Sequence, residues 1–100
     1  MFAKRIRVEG KVQGVGFRAA AVEQARNYPS LSGLVWNTRD GAVEVFVQGE
    51  RAEVLAFMQW CYEGPPTARV QGLESENVEP SDKPLEPGLS TAPDQDPSMG

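Results

Sequence analysis

Through residues 2–9, FAKRIRVE, Ile6 and Val8 share a face with Phe2 and Lys4, while Ala3, Arg5, Arg7 and Glu9 take the other. That alternation predicts a half-buried strand, and Val12 extends its apolar face past Gly10. From Phe17 to about Arg26 the spacing turns helical: Phe17, Ala21 and Ala25 form a stripe with Ala20 beside it. Small alanines there let a helix lie close on a sheet. Pro29 and the PSLSG that follows end it. GLVWN, 33–37, predicts a short strand, and NTRDG, 37–41, a turn whose Asp40-Gly41 pair is a hairpin signal. AVEVFVQ, 42–48, is the next strand, with Val43, Val45 and Val47 on one face. ERAEVLAFMQWCYEG, 50–64, spaces Val54, Phe57, Met58 and Cys61 as one helical face and stops at Gly64-Pro65-Pro66. ARVQGLESENV, 68–78, is a weaker strand, because Val70 and Leu73 are out of phase across Gly72, which predicts a bulge.

The resulting order, β-α-β-β-α-β, is the split βαβ arrangement of ferredoxin-like domains: an α+β sandwich with an antiparallel sheet and two helices on one face. The expected domain is residues 1–79. Residues 80–100 hold Pro80, Pro84, Pro87, Pro93 and Pro97 with few large apolar groups, so a disordered, acidic, Pro-rich tail is expected there.

The chain has 100 residues and a formal net charge of −4, unevenly placed. In the tail Lys83 faces Asp82, Glu86, Asp94 and Asp96, while residues 1–40 are basic, with Lys4, Arg5, Arg7, Lys11, Arg18, Arg26 and Arg39 outnumbering Glu9, Glu23 and Asp40. The overall acidity therefore does not argue against an anionic ligand. Cys61 is the one cysteine and there is no histidine. An intrachain disulfide is excluded, a zinc site of ordinary type lacks ligands, and Ser–His or Cys–His nucleophilic catalysis is excluded as well. No apolar run approaches a membrane span or a signal peptide, so the expectation is a cytoplasmic protein without membrane association.

The chemistry concentrates at QGVGFR, 13–18. Gly14 and Gly16 permit positive φ, which turns successive N–H groups toward a common point just before a helix N-terminus; the product is a concave anion nest. Arg18, in the helix's first turn, adds a planar fork able to hold two phosphate oxygens. Without an anion a cation at that end of a helix is unfavourable. The glycines alone read as a tight strand-to-helix connection with Arg18 an exposed helix residue, and Asn37 alone as a cap of the turn after it. The loop lacks the ending of a Walker motif, and the hairpin that follows argues against a dinucleotide-binding βαβ unit.

GKVQGVGFR, 10–18, resembles the first signature of the acylphosphatase family, small enzymes that hydrolyse the carboxyl–phosphate bond of acyl phosphates. GLVWNTRDGAVEVFVQG, 33–49, looks like its second signature. With GPPTARV at 64–70 and VEP at 78–80, the resemblance spans residues 4–80. It implies that Arg18 binds the substrate phosphate, that backbone amides of Gly14, Val15, Gly16, Phe17 and Arg18 cradle it, and that Asn37 orients the attacking water. It implies no metal and no cofactor, with a small-molecule acyl phosphate as the partner. The sequence departs from the family pattern in a connection, 25–33, one residue longer than usual, in Leu34 at an aromatic position, and in Trp36 where a basic residue is frequent. On the pocket side, Trp36 would weaken attraction to substrate and enlarge the surface for the acyl group.

Two other readings compete. A non-catalytic phosphate- or anion-binding module of the same fold would use the same nest without turnover. RNA-recognition domains share the element order, but AVEVFVQ offers Phe46 alone where stacking aromatics are needed, so no nucleic acid partner is expected. Nothing argues for a homodimer, and a monomer is the expectation.

Overall fold

The computed structural model describes residues 1–95. Its elements are β1 (Phe2–Lys11), α1 (Phe17–Ala25), β2 (Ser32–Asn37), β3 (Val43–Gly49), α2 (Arg51–Cys61), β4 (Arg69–Asn77) and β5 (Gly88–Thr91). The sheet order is β4-β1-β3-β2-β5. β1 runs antiparallel to β3 and β4, and β2 antiparallel to β3.

Alternation along the strands decides which side becomes the core. Ile6, Val8, Val35, Val43, Val45 and Val47 are fully buried and meet Phe17, Ala21 and Ala25 of α1 and Val54, Phe57 and Cys61 of α2. Each large side chain so buried contributes about 1.5–3 kcal/mol, so this face drives the fold. Burial pushes the Cys61 thiol pKa well up, so it behaves as an apolar group. The expected bulge is present: Glu9 pairs with Gly72 and Gly10 with Val70, leaving Gln71 as the extra residue. The slip lets both Val70 and Leu73 pack against the core despite their phase.

The face away from the helices carries an ion network. Arg5 Nη2 lies 2.9 Å from Glu44 Oε1, and Arg7 reaches Asp40 Oδ2 at 2.7 Å and Glu9 Oε2 at 3.0 Å.

The disordered tail expected from Pro80 and the wholly antiparallel sheet are both corrected. Gly88–Thr91 forms β5, parallel to β2, with Ser32 opposite Gly88 and Val35 opposite Thr91. Joining one edge of the sheet to the other takes a crossover, and residues 78–87 supply it. Val78 N–H donates to Ala3 O at 3.1 Å and Ser81 N–H to Gln48 Oε1 at 2.7 Å on the way. Prolines suit an extended connection that needs no ladder donors. Leu89, 6% exposed, anchors the strand in the core. The tail's last residues, 96–100, lie outside the described residues. No helix among the described residues is long and apolar enough to cross a membrane.

Candidate active site

Gly14 and Gly16 have φ of 72° and 81°, and a Cβ at either would meet nothing within 4 Å. The turn itself, not crowding, requires glycine at both positions. Gly16 is the left-handed N-cap of α1, with no side-chain cap and no acidic residue in the first turn. The leading N–H groups of the helix are therefore left to an external acceptor, at the end where the helix dipole is positive.

Side chains from both flanks fix this loop. Gln13 Nε2 donates to Thr38 O at 2.7 Å and to Ala42 O at 2.8 Å, tying the loop to the β2–β3 turn. Thr67 Oγ1 donates to Val15 O at 2.6 Å. Phe17 is buried against Trp60, with ring centroids 5.4 Å apart, which pins the first turn of α1. Arg18, next along, is half-buried and makes no ion pair among the described residues.

Alternation on β2 sends Val35 into the core and Asn37 to the same side, at the strand's end. The turn after it is capped not by Asn37 but by Thr38, whose Oγ1 accepts the Ala42 N–H at 2.9 Å and donates to Asp40 Oδ1. Asn37 Oδ1 is buried and accepts no hydrogen bond among the described residues. A buried carbonyl oxygen without a protein donor is costly to maintain unless a water or ligand supplies one.

These parts meet in one cleft of about 300 Å³. Gly14, Gly16, Phe17 and Arg18 line it from the loop and α1, Asn37 from β2, and Val12 and Ala19 add apolar surface. Of the expected phosphate-binding residues, Val15 does not line the cleft: its side chain packs against the core and its carbonyl is the one that Thr67 holds. Trp36, on the opposite face of β2, does not line it either, nor does any residue of 25–33. Trp36 instead lies beside Arg5, whose Cζ is 5.8 Å from the indole ring centroid.

Thr91 of β5 also lines the cleft, which sequence reasoning missed. Its available signal was the short GLST run ahead of Pro93, masked by the prolines around it. A larger cleft of about 420 Å³ on the other face is lined by Arg5, Arg7, Glu44, Glu74, Ser75 and Glu76. Its arginines are already paired with acids, so it has no charge to offer an anion.

The sequence model of the acylphosphatase family matches residues 4–84. An acylphosphatase of Anaeromyxobacter dehalogenans (strain 2CP-C) is 51% identical over 77 residues, which is 77% of this chain and 82% of that protein. Acylphosphatase 2 of Ralstonia nicotianae is 45% identical over 89 residues, 88% of this chain and 90% of that one. The crystal structure of acylphosphatase from Bacillus subtilis aligns with a TM-score of 0.83 at 29% identity, covering 92% of this chain and 99% of that chain. By sequence and by fold, this chain belongs to the acylphosphatase family.

Proposed function

We propose that this protein is an enzyme that hydrolyses acyl phosphates to a carboxylate and inorganic phosphate at the Arg18–Asn37 cleft. The observation that carries the roles is the meeting, in one cleft, of a positive-φ loop at a helix N-terminus, an arginine without an ion pair among the described residues, and a buried, unpartnered Asn37 Oδ1. Loop amides and the Arg18 guanidinium hold the phosphoryl oxygens and stabilise the charge they carry. Water donates one O–H to Asn37 Oδ1 and presents a lone pair to phosphorus, opposite the acyl oxygen. The new O–P bond forms as the acyl O–P bond breaks, and the bonding pair departs with the carboxylate. The proton released from water passes to a phosphoryl oxygen. A carboxylate is a weakly basic leaving group and needs no proton donor, so positioning and charge stabilisation suffice without histidine. We read the enzyme as a cytoplasmic monomer; the unpaired, buried Cys61 thiol suits a reducing compartment.

The test is hydrolysis of benzoyl phosphate by the wild type, Arg18→Ala and Asn37→Ala, each shown to be folded by circular dichroism. Removing a preorganised group that meets transition-state charge costs on the order of 10²–10³ in rate. The reading requires wild-type turnover and a loss of that order in both variants. Phosphate binding that depends on Arg18 without turnover would make the protein an anion-binding module instead.

A further inference from the structure

Past Thr91 the chain stays on the edge of the sheet and reaches the backbone of Asn37. Ala92 N–H donates to Val35 O at 2.9 Å and Gln95 N–H to Asn37 O at 3.0 Å. Arg39 N–H in turn donates to Gln95 O at 3.0 Å, making an isolated parallel bridge between Thr38 and Gln95. On its other side Asn37 pairs with Val43 of β3. The main chain that carries the Asn37 side chain is thus gripped from both sides, and one grip comes from a segment beyond residue 84, where the family match ends.

We propose that Gln95, acting through its main chain, is a positioning residue for Asn37, and that residues 92–95 form a hook that sets where Asn37 presents its side chain. The inference rests on the function proposed above. Without the hook, Asn37 would be the last residue of a strand paired on one side only, a place where strands fray. Displacing a group that orients the attacking water by about 1 Å can cost on the order of 10² in rate. The phosphate loop is tied by Thr67 and by Gln13, which reaches Ala42 as well as Thr38, and none of these bonds is made by residues 92–95, so the hook bears first on the chemical step and less on phosphate binding. Side-chain identity at position 95 is unimportant, because both bonds are made by its backbone.

Gln95→Pro deletes the donated N–H, truncation after Thr91 removes the hook, and Gln95→Ala keeps both bonds. For each, kcat on benzoyl phosphate, the inhibition constant of inorganic phosphate, the melting temperature and the hydrogen exchange of the Arg39 amide are measured. Expected are a kcat loss of about 10- to 100-fold in the proline and truncated variants, phosphate inhibition within about 2-fold of wild type, and faster Arg39 exchange. Gln95→Ala should match the wild type throughout. Unchanged kcat in both disrupted variants would overturn the proposal, as would kcat and phosphate affinity falling together in step with melting temperature. If the wild type itself gives no turnover, the function fails and not the hook; the Asn37 side-chain amide resonance then decides. It should shift in Gln95→Pro but not in Gln95→Ala, and its staying put in both would overturn the hook.

Discussion

Thr38 caps the β2–β3 turn and so leaves Asn37, one residue earlier, with nothing to do there. Its Oγ1 accepts the Ala42 N–H at 2.9 Å, whereas Asn37 Oδ1 is buried without a donor among the described residues. Asparagine before a turn ordinarily bonds the backbone ahead of it. Giving that task to an adjacent hydroxyl is what makes the asparagine available to a ligand. Thr38→Val should therefore act twice. A buried Ala42 N–H without an acceptor costs about 1–3 kcal/mol, readable by urea denaturation. The vacated turn also competes for the Asn37 amide, so kcat should fall even under conditions where the variant is fully folded, while Thr38→Ser recovers both. Full activity in folded Thr38→Val would refute this division of labour.

Gln13 joins the anion loop to the same turn through donors that face the carbonyls of Thr38 and Ala42. Gln13→Ala removes the tie, and Gln13→Glu sets a carboxylate against both carbonyl oxygens beside the anion site. The glutamate variant should thus be the worse of the two in phosphate affinity, measured by inhibition of hydrolysis, although it is closer in shape. Wild-type affinity in both variants would mean that the tie is not what shapes the loop.

Much of this was legible in the residues because local and global signals agreed. Val43, Val45 and Val47 alternate, Phe17, Ala21 and Ala25 recur at helical spacing, and Asp40-Gly41 marks the hairpin, so both helices and the first four strands follow from period and punctuation. Arg18 and Asn37 were legible as members of matched motifs, and the fold brings them to one cleft. β5 was not legible. A four-residue parallel edge strand takes its hydrogen bonds from β2 and its burial mainly from Leu89, neither of which leaves a periodic pattern, and prolines dominate the composition around it. Thr91 and the Gln95 hook were hidden with it. Gln13 and Thr38 escaped notice for a different reason: their roles depend on which backbone groups lie opposite them, and no single-chain pattern encodes that.

The glycines at 16 and 64 both have positive φ, 81° and 66°, yet they differ in what surrounds them. A Cβ at Gly16 meets open space, whereas one at Gly64 would stand 2.7 Å from Phe17 Cε2. Gly16→Ala should lose only the conformational term, about 1–2 kcal/mol. Gly64→Ala adds displacement of a buried ring that packs on Trp60, so its loss should be clearly larger, with a change in tryptophan fluorescence that Gly16→Ala does not show. Both variants should weaken phosphate binding, Gly16→Ala through the loop amides and Gly64→Ala through the displaced Phe17 ring, which lines the cleft. Denaturation midpoints and phosphate inhibition measured on the same two variants check the stability ordering and the shared loss.

Asp40 links this turn to pH. The Thr38 hydroxyl first, and the Arg7 guanidinium second, hold its carboxyl below the ordinary value of 3.8, while the same pairing raises Arg7. The folded carboxylate thus binds a proton less readily than the unfolded one. Its stabilising contribution is complete above 3.8 and drains away as pH falls through the lower, folded value. Asp40 is exposed, so the effect is modest and screened by salt. Wild-type melting temperature should accordingly fall more steeply below about pH 4 than that of Asp40→Asn, and the two curves should run parallel above it. Added salt should shrink the difference on the acid side. Identical acid limbs would mean that the short contact with Thr38 and the ion pair with Arg7 do not persist in solution, and the capping of the turn by Thr38 would then have to stand without Asp40.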